Sequence, residues 1–246
     1  MSNGLKVKKR NGRGVEPLDL DKIHKMVEDA CKGITGVSAS QVEIQSGIQF
    51  YDGITTAEIQ EILIKSASDL ITLDNPNYQF VAARLLLFAV RKSLYGKTRE
   101  LPHLEQHIMS CTNQDVYDKD IFNKYSKEEI DKVNGWIDHE RDFLFTYAGL
   151  RQVVDKYLVQ DRSTGKVYET PQFMYMMIAL TIFAEYPKER RLNYVRRYYD
   201  AISKHRINIP TPIMAGVRTP IRQFASCVLV DSDDTLDSIF SSDVAI

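Results

Sequence analysis

Residues 5–31 read LKVKKRNGRGVEPLDLDKIHKMVEDAC, and the hydrophobic period changes once along them. Leu5, Lys6, Val7 and Lys8 alternate apolar with polar, Asn11-Gly12 supplies a tight turn, and Val15 to Leu18 returns, which predicts a short β-hairpin. From Asp19 to Cys31 the apolar residues Ile23, Met26, Val27 and Ala30 fall at helical spacing, with acidic residues at the start, where the helix dipole favours them. Gly33 is placed to end that helix. A hairpin feeding directly into an amphipathic helix is therefore expected to open the protein.

The same reading extends along the chain. Ser38 with Gln41 is a capping-box signature opening a second helix through Val42, Ile44 and Ile48. Thr55 with Glu58 repeats it for a third helix, whose stripe is Ile59, Ile62, Leu63, Ser66, Ala67 and Leu70. Asn75-Pro76 restarts the chain into a long helix from about Asn77 to Tyr95. One hairpin and four helices thus form a unit over residues 1–96. Pro102 and sparse apolar residues mark a boundary at residues 97–104.

A second helical unit is expected over 97–206, interrupted by a surface hairpin at Asp161 to Gly165 and containing an apolar helix that Thr170-Pro171 starts, running from Gln172 to about Ala184. Past Ile207, Pro210, Pro212 and Pro220 argue against helix, and Cys227-Val228-Leu229-Val230 suits a strand buried on both faces. Residues 235–246 resume a weak helical pattern and are expected to stop inside an element. The fold class is mainly α.

Composition narrows the function. The 246 residues are 43% hydrophobic and 26% charged, an ordinary globular mixture. Thirty-two basic residues against 33 acidic ones leave a net charge of −1, so no global field draws the chain to nucleic acid or an anionic membrane. Cys31, Cys111 and Cys227 form no CxxC pair and suggest reduced thiols. With no signal-like apolar run, a cytoplasmic location is expected.

Four groups could carry chemistry. Lys6, Lys8, Lys9, Arg10 and Arg13 crowd the hairpin, as a polyphosphate site or a lysine-protected edge strand would require. His103 and His107 share an i, i+4 spacing but lack a third metal ligand. His139-Glu140-Arg141-Asp142 reads first as a surface ion-pair network. Cys227, with Ser226 beside it and an apolar run after it, is either a core thiol or a reactive one.

Longer motifs then add a resemblance. Leu18-Asp19-Leu20-Asp21-Lys22-Ile23, Gln49-Phe50-Tyr51-Asp52-Gly53-Ile54-Thr55-Thr56 and Tyr78-Gln79-Phe80-Val81-Ala82-Ala83-Arg84-Leu85 are joined by Ile137-Asp138-His139-Glu140-Arg141-Asp142 and Lys156-Tyr157-Leu158-Val159. Pro210-Thr211-Pro212-Ile213-Met214-Ala215-Gly216-Val217-Arg218-Thr219-Pro220 and Arg222-Gln223-Phe224-Ala225-Ser226-Cys227 complete the series. In this order they resemble the N-terminal portion of the class I ribonucleotide reductase large subunit, including phage-type chains.

The resemblance implies an ATP-cone over 1–96, a helical domain over 97–206, and over 207–246 the first strand of an otherwise missing ten-stranded α/β barrel. It implies radical reduction of ribonucleoside diphosphates, with Cys227 as one of two redox cysteines and Thr211 and Ser226 holding substrate. A dithiol that donates hydrogen and closes to a disulfide can be reset by an external dithiol, which serine could not be. Lys9, Glu16, Pro17, Leu18, Asp19, Leu20, Asp21, Lys22, Thr56 and Lys92 match contacts to ATP or dATP, and Asp234, Thr235 and Leu236 match part of a specificity-effector site.

Glu58 and Gln60 stand where some relatives carry aspartate and histidine, so ATP binding with weakened or lost dATP inhibition is expected. The implied partners are a complementary C-terminal polypeptide, a radical-generating small subunit holding a diiron-tyrosyl radical, thioredoxin or glutaredoxin as reductant, and a second large subunit. No metal in this chain, no membrane and no direct nucleic acid are expected, and the isolated chain is expected to be inactive. The rival readings are a non-catalytic nucleotide-binding module and, less compatible with the balanced charge, a salt-sensitive nucleic-acid binder.

Overall fold

The computed structural model describes residues 4–9, 14–221 and 223–245. The Asn11-Gly12 turn and the basic residues Arg10, Arg13 and Arg222 lie outside them. The flanking strands pair as expected: β1 (Lys6–Lys8) and β2 (Val15–Pro17) are antiparallel, with Val7 opposite Glu16. A third strand, β3 (Ile54–Thr55), adds to β1 in parallel and was not foreseen. Two residues are too short for a period, and Gly53 (φ +81°) allows the turn by which its N–H reaches the Lys6 carbonyl at 2.8 Å.

Helix α1 (Leu20–Cys31) begins where Asp19 caps it and buries Ile23, Val27 and Ala30. In α2 (Ala39–Gly47) Ser38 accepts from the Gln41 N–H, but the reciprocal half of the box is missing. The Tyr78 hydroxyl takes that place: it accepts from the Ser38 N–H at 3.0 Å and donates to Gln41 Oε1. The expected apolar face of α2 is also corrected. Val42 is buried, whereas Ile44 and Ile48 are 69% and 84% exposed, because α2 has one supporting side and Val42 with Ser46 occupies it.

Helix α3 (Thr56–Asp69) carries the full Thr55–Glu58 capping box and buries Ile59, Leu63, Ser66 and Ala67. Helix α4 (Tyr78–Tyr95) runs through the interior, buries residues on every face from Val81 to Arg91, and stops at Gly96 in the left-handed region. It packs on α3 on one side and on the second helical unit on the other, so a single hydrophobic core spans both.

That second unit comprises α5 (Leu104–Asn113), α6 (Ile121–Lys124), α7 (Lys127–Asn134), a 3-10 turn (His139–Leu144), α8 (Tyr147–Gln152) continuing as one π turn (Val153–Tyr157), α9 (Pro171–Ile182) and α10 (Lys188–Ser203). The expected surface hairpin is β4 (Gln160–Asp161) with β5 (Lys166–Val167). Thr170 precedes α9 without a side-chain capping bond; Pro171 at the first turn, where an N–H would be idle, starts that helix.

Two expectations for the last segment are corrected. Helix α11 (Thr211–Gly216) forms despite its prolines, since Pro212 sits in the first turn and removes no intrahelical bond. Cys227 to Val230 form no strand; Val228 and Leu229 are 79% and 98% exposed. A strand needs neighbours to take up its N–H and C=O groups, and no described residue pairs with this run. Helix α12 (Leu236–Ala245) follows and buries nothing.

Candidate functional site

A cleft of about 440 Å³ opens between the small sheet and helices α1, α3 and α4. The β1–β2 register puts Glu16 and Pro17 at one wall, and Leu18 leads to Asp19. Asp19 accepts from the Lys22 N–H at 3.2 Å and from Lys22 Nζ at 3.0 Å. These bonds hold its carboxyl below the ordinary range and push the Lys22 ammonium up. Lys9 Nζ lies 2.8 Å from Glu16 Oε2 and depresses that carboxyl in the same way.

The second wall is the start of α3. The Thr55 side chain accepts from the Glu58 N–H at 3.1 Å, and Glu58 accepts from the Thr55 N–H at 2.8 Å, fixing Thr56 at the cleft. Glu58 also accepts from the Tyr51 hydroxyl, so it serves the cap rather than the cleft, whereas Gln60 is buried in the lining. Phe88 and Lys92 of α4, with Gly96, Lys97 and Thr98 beyond it, complete the enclosure.

Seven of the ten residues expected to contact nucleotide therefore share this lining: Glu16, Pro17, Leu18, Asp19, Lys22, Thr56 and Lys92. Leu20 and Asp21 instead face a separate depression along Gly4 to Lys6, because one helical residue is a turn of about 100°. Lys9 reaches the site through Glu16. Lys25, Met26 and Asp29 were missed although the spacing from Lys22 reports them: three, four and seven residues on share its helix face. Lys97 and Thr98 carry no such local signal.

Val7, Ile23, Met26, Ile59 and Phe88 make the interior apolar, while Lys22, Lys25, Lys92 and Lys97 supply cations. A flat heteroaromatic ring on the apolar part, with an anionic tail on the lysines, matches this division of surface.

The residues expected around the substrate are not gathered here. Thr211 borders a separate cleft of about 710 Å³ between α8, α10 and α11, with its Oγ1 3.4 Å from the Tyr157 hydroxyl. Ser226 and Cys227 are adjacent on the exposed run, Oγ to Sγ 3.8 Å, and do not border that cleft. The core-thiol reading of Cys227 is thus corrected, while it holds for Cys111. Asp234, Thr235 and Leu236 are exposed at the start of α12, where Thr235 Oγ1 accepts from the Ser238 N–H.

The histidine clusters resolve differently. His107 is buried against Tyr117 and Phe173, away from His103, which caps α5. Arg141 does form ion pairs near the surface with Asp138 and Asp200, but Asp142 is fully buried against Arg91, contrary to a surface network. Among the described residues, His103, Glu105 and Asp131 are the group whose ligand atoms lie close enough for a metal.

Comparison with known proteins finds two domain families along the chain. Residues 5–93 match the ATP cone domain, and residues 143–222 match the ribonucleotide reductase all-alpha domain. Over its full length the chain is 50% identical to the ribonucleoside-diphosphate reductase subunit alpha of Haemophilus influenzae and 49% identical to ribonucleoside-diphosphate reductase 1 subunit alpha of Escherichia coli. Identity to the subunit alpha of Enterobacteria phage T4 is 44% over 94% of the chain. The chain spans about a third of these relatives: 32%, 32% and 30% of their lengths. No described helix is long and apolar enough to cross a membrane. The chain belongs to the class I ribonucleotide reductase large-subunit family and corresponds to the N-terminal region of those subunits.

Proposed function

We propose that this chain is the ATP-responsive N-terminal part of a ribonucleoside-diphosphate reductase, with its effector in the cleft between the hairpin, α1, α3 and α4. The observation that carries this reading is that Lys22 and Lys92, both expected from the motif match, line an apolar interior together with Lys25 and Lys97. ATP or dATP would stack on the apolar part and place phosphates at the lysines. Cys227 is the redox thiol that supplies hydrogen and reducing equivalents when substrate sits by Thr211 and Ser226, and Asp234, Thr235 and Leu236 contribute to a specificity-effector site.

In this reading residues 1–96 regulate, 97–206 form the helical support, and 207–246 begin the catalytic barrel. Completion requires a C-terminal polypeptide, and the work is shared with a second large subunit, a small subunit carrying a diiron-tyrosyl radical, and thioredoxin or glutaredoxin. The exposed apolar run Val228, Leu229 and Val230 supports it: an unpaired segment of that kind gains most from added strands.

Calorimetry of the chain with ATP tests the effector half; Lys22→Ala with Lys92→Ala should weaken binding by roughly tenfold or more. Reconstitution with a C-terminal polypeptide and small subunit tests the catalytic half. Turnover abolished by Cys227→Ser supports the reductase; ATP binding with no turnover in any assembly would favour a nucleotide-binding module alone.

A further inference from the structure

We propose that Arg91 is a positioning residue that couples occupancy of the cleft to the helical unit, without touching the nucleotide itself. The inference rests on the cleft being a nucleotide site. Arg91 is 1% exposed, precedes Lys92 on α4 and does not line the cleft. Its Nη1 donates to the carbonyl of Thr98, a wall residue, at 3.4 Å. Its Nη2 donates to the His139 carbonyl at 2.7 Å and to Asp142 Oδ2 at 2.9 Å.

The network continues inward. Asp142 Oδ1 accepts from Gln172 Nε2 at 2.9 Å, Gln172 Oε1 accepts from the Tyr199 hydroxyl at 2.7 Å, and that hydroxyl accepts from the Asp138 N–H at 2.9 Å. The path thus leaves the cleft wall, crosses α9 and α10, and returns to the start of the 3-10 turn that carries Asp142. A packing contact runs beside it: Phe88 lines the cleft and meets Phe143 edge-on at 6.2 Å, and the Arg91 guanidinium lies over the same Phe143 ring at 5.6 Å.

A buried network of this kind does not yield by small degrees, because stretching any bond strands a desolvated polar group. A ligand that pulls on Lys92 or displaces Thr98 must carry Arg91 with it or break its bonds. Arg91 Nε has no hydrogen-bond partner, so the guanidinium has something to gain from a second arrangement. Linkage then works both ways: what stabilises one arrangement of Asp142 and Tyr199 changes the affinity of the cleft by the same factor.

The experiment measures ATP affinity by calorimetry and ATP-induced hydrogen-exchange protection on the full chain. In the unaltered chain ATP should protect residues 96–99 and also 138–144. Asp142→Asn should lower ATP affinity about tenfold, within the usual range of allosteric coupling. Tyr199→Phe, which removes one hydroxyl and keeps the ring, should abolish protection at 138–144 while leaving it at 96–99. Should Asp142→Asn fail to fold, Tyr199→Phe decides alone. Protection confined to the cleft in the unaltered chain, or unchanged in Tyr199→Phe, overturns the coupling; no ATP binding by the unaltered chain overturns the nucleotide reading and the coupling together.

Discussion

Arg218 and Glu169 are 49 residues apart in sequence and meet as a fully buried ion pair, with Arg218 Nε 2.8 Å from Glu169 Oε2. The same guanidinium donates to the Met214 and Tyr157 carbonyls, and the Tyr117 hydroxyl donates to Glu169. The chain beyond α11 is thereby stapled to the start of α9, just before the exposed run that bears Cys227.

Removing one partner leaves a buried charge uncompensated. Glu169→Gln or Arg218→Met should each cost about 3–5 kcal/mol in denaturant unfolding, and replacing both by apolar residues should cost less than the sum. Single losses under about 1 kcal/mol would mean that water reaches the pair.

The capping box at the cleft gives a smaller, local prediction. Thr55→Ala frees the Glu58 N–H and should cost about 1 kcal/mol. Thr56 sits one residue into the helix that loses its cap, so ATP affinity should fall as well, measured on the folded variant.

His107 gives stability a pH dependence. Burial, stacked on Phe173 at 4.2 Å, lowers its pKa to about 4. Between the ordinary histidine value of about 6.5 and 4 the unfolded chain therefore binds the proton first, so stability present above pH 6.5 is lost as pH falls, on the order of 3 kcal/mol by pH 4. His139, also lowered to about 4 by burial, adds to this. Asp142, raised to about 6 by burial, opposes it, because its folded form takes up the proton first as pH falls below 6. His107→Phe, which keeps the stack, should flatten the acid-side decline in melting temperature; an unchanged slope would show that His107 is not the group responsible.

The three thiols should react in a set order. Cys227 is exposed, Cys31 half-buried and Cys111 buried, and burial pushes the latter two thiols up to about 11 and about 12. Since the thiolate is the nucleophile, a maleimide at neutral pH should modify one thiol rapidly, and Cys227→Ser should remove that fast phase. Fast modification persisting in the variant would place another thiol at the surface.

Period and capping chemistry are properties of neighbouring residues, and so the hairpin strands, the order of the first four helices and the Thr55 box were all legible in the sequence. The motif match also named seven of the residues that line the cleft. Where a residue's environment came from distant segments, local reading failed: Ile44 and Ile48 follow a helical pattern yet face outward, and Asp142 sits in a charged tetrad yet is buried against Arg91. The two-residue β3 exists because β1 offers it a free edge.

By itself, then, the sequence determined the family and the type of the first elements, from the hairpin strands to α4, because spacing along a helix or strand dictates which side chains share a face. Only the tertiary structure decided that Leu20 and Asp21 turn away from the cleft, that Arg218 finds Glu169, and that Arg91 joins the cleft wall to Asp142. The reason is desolvation: a buried charge is tolerated only beside its partner, and which partner arrives is settled by how the helices pack.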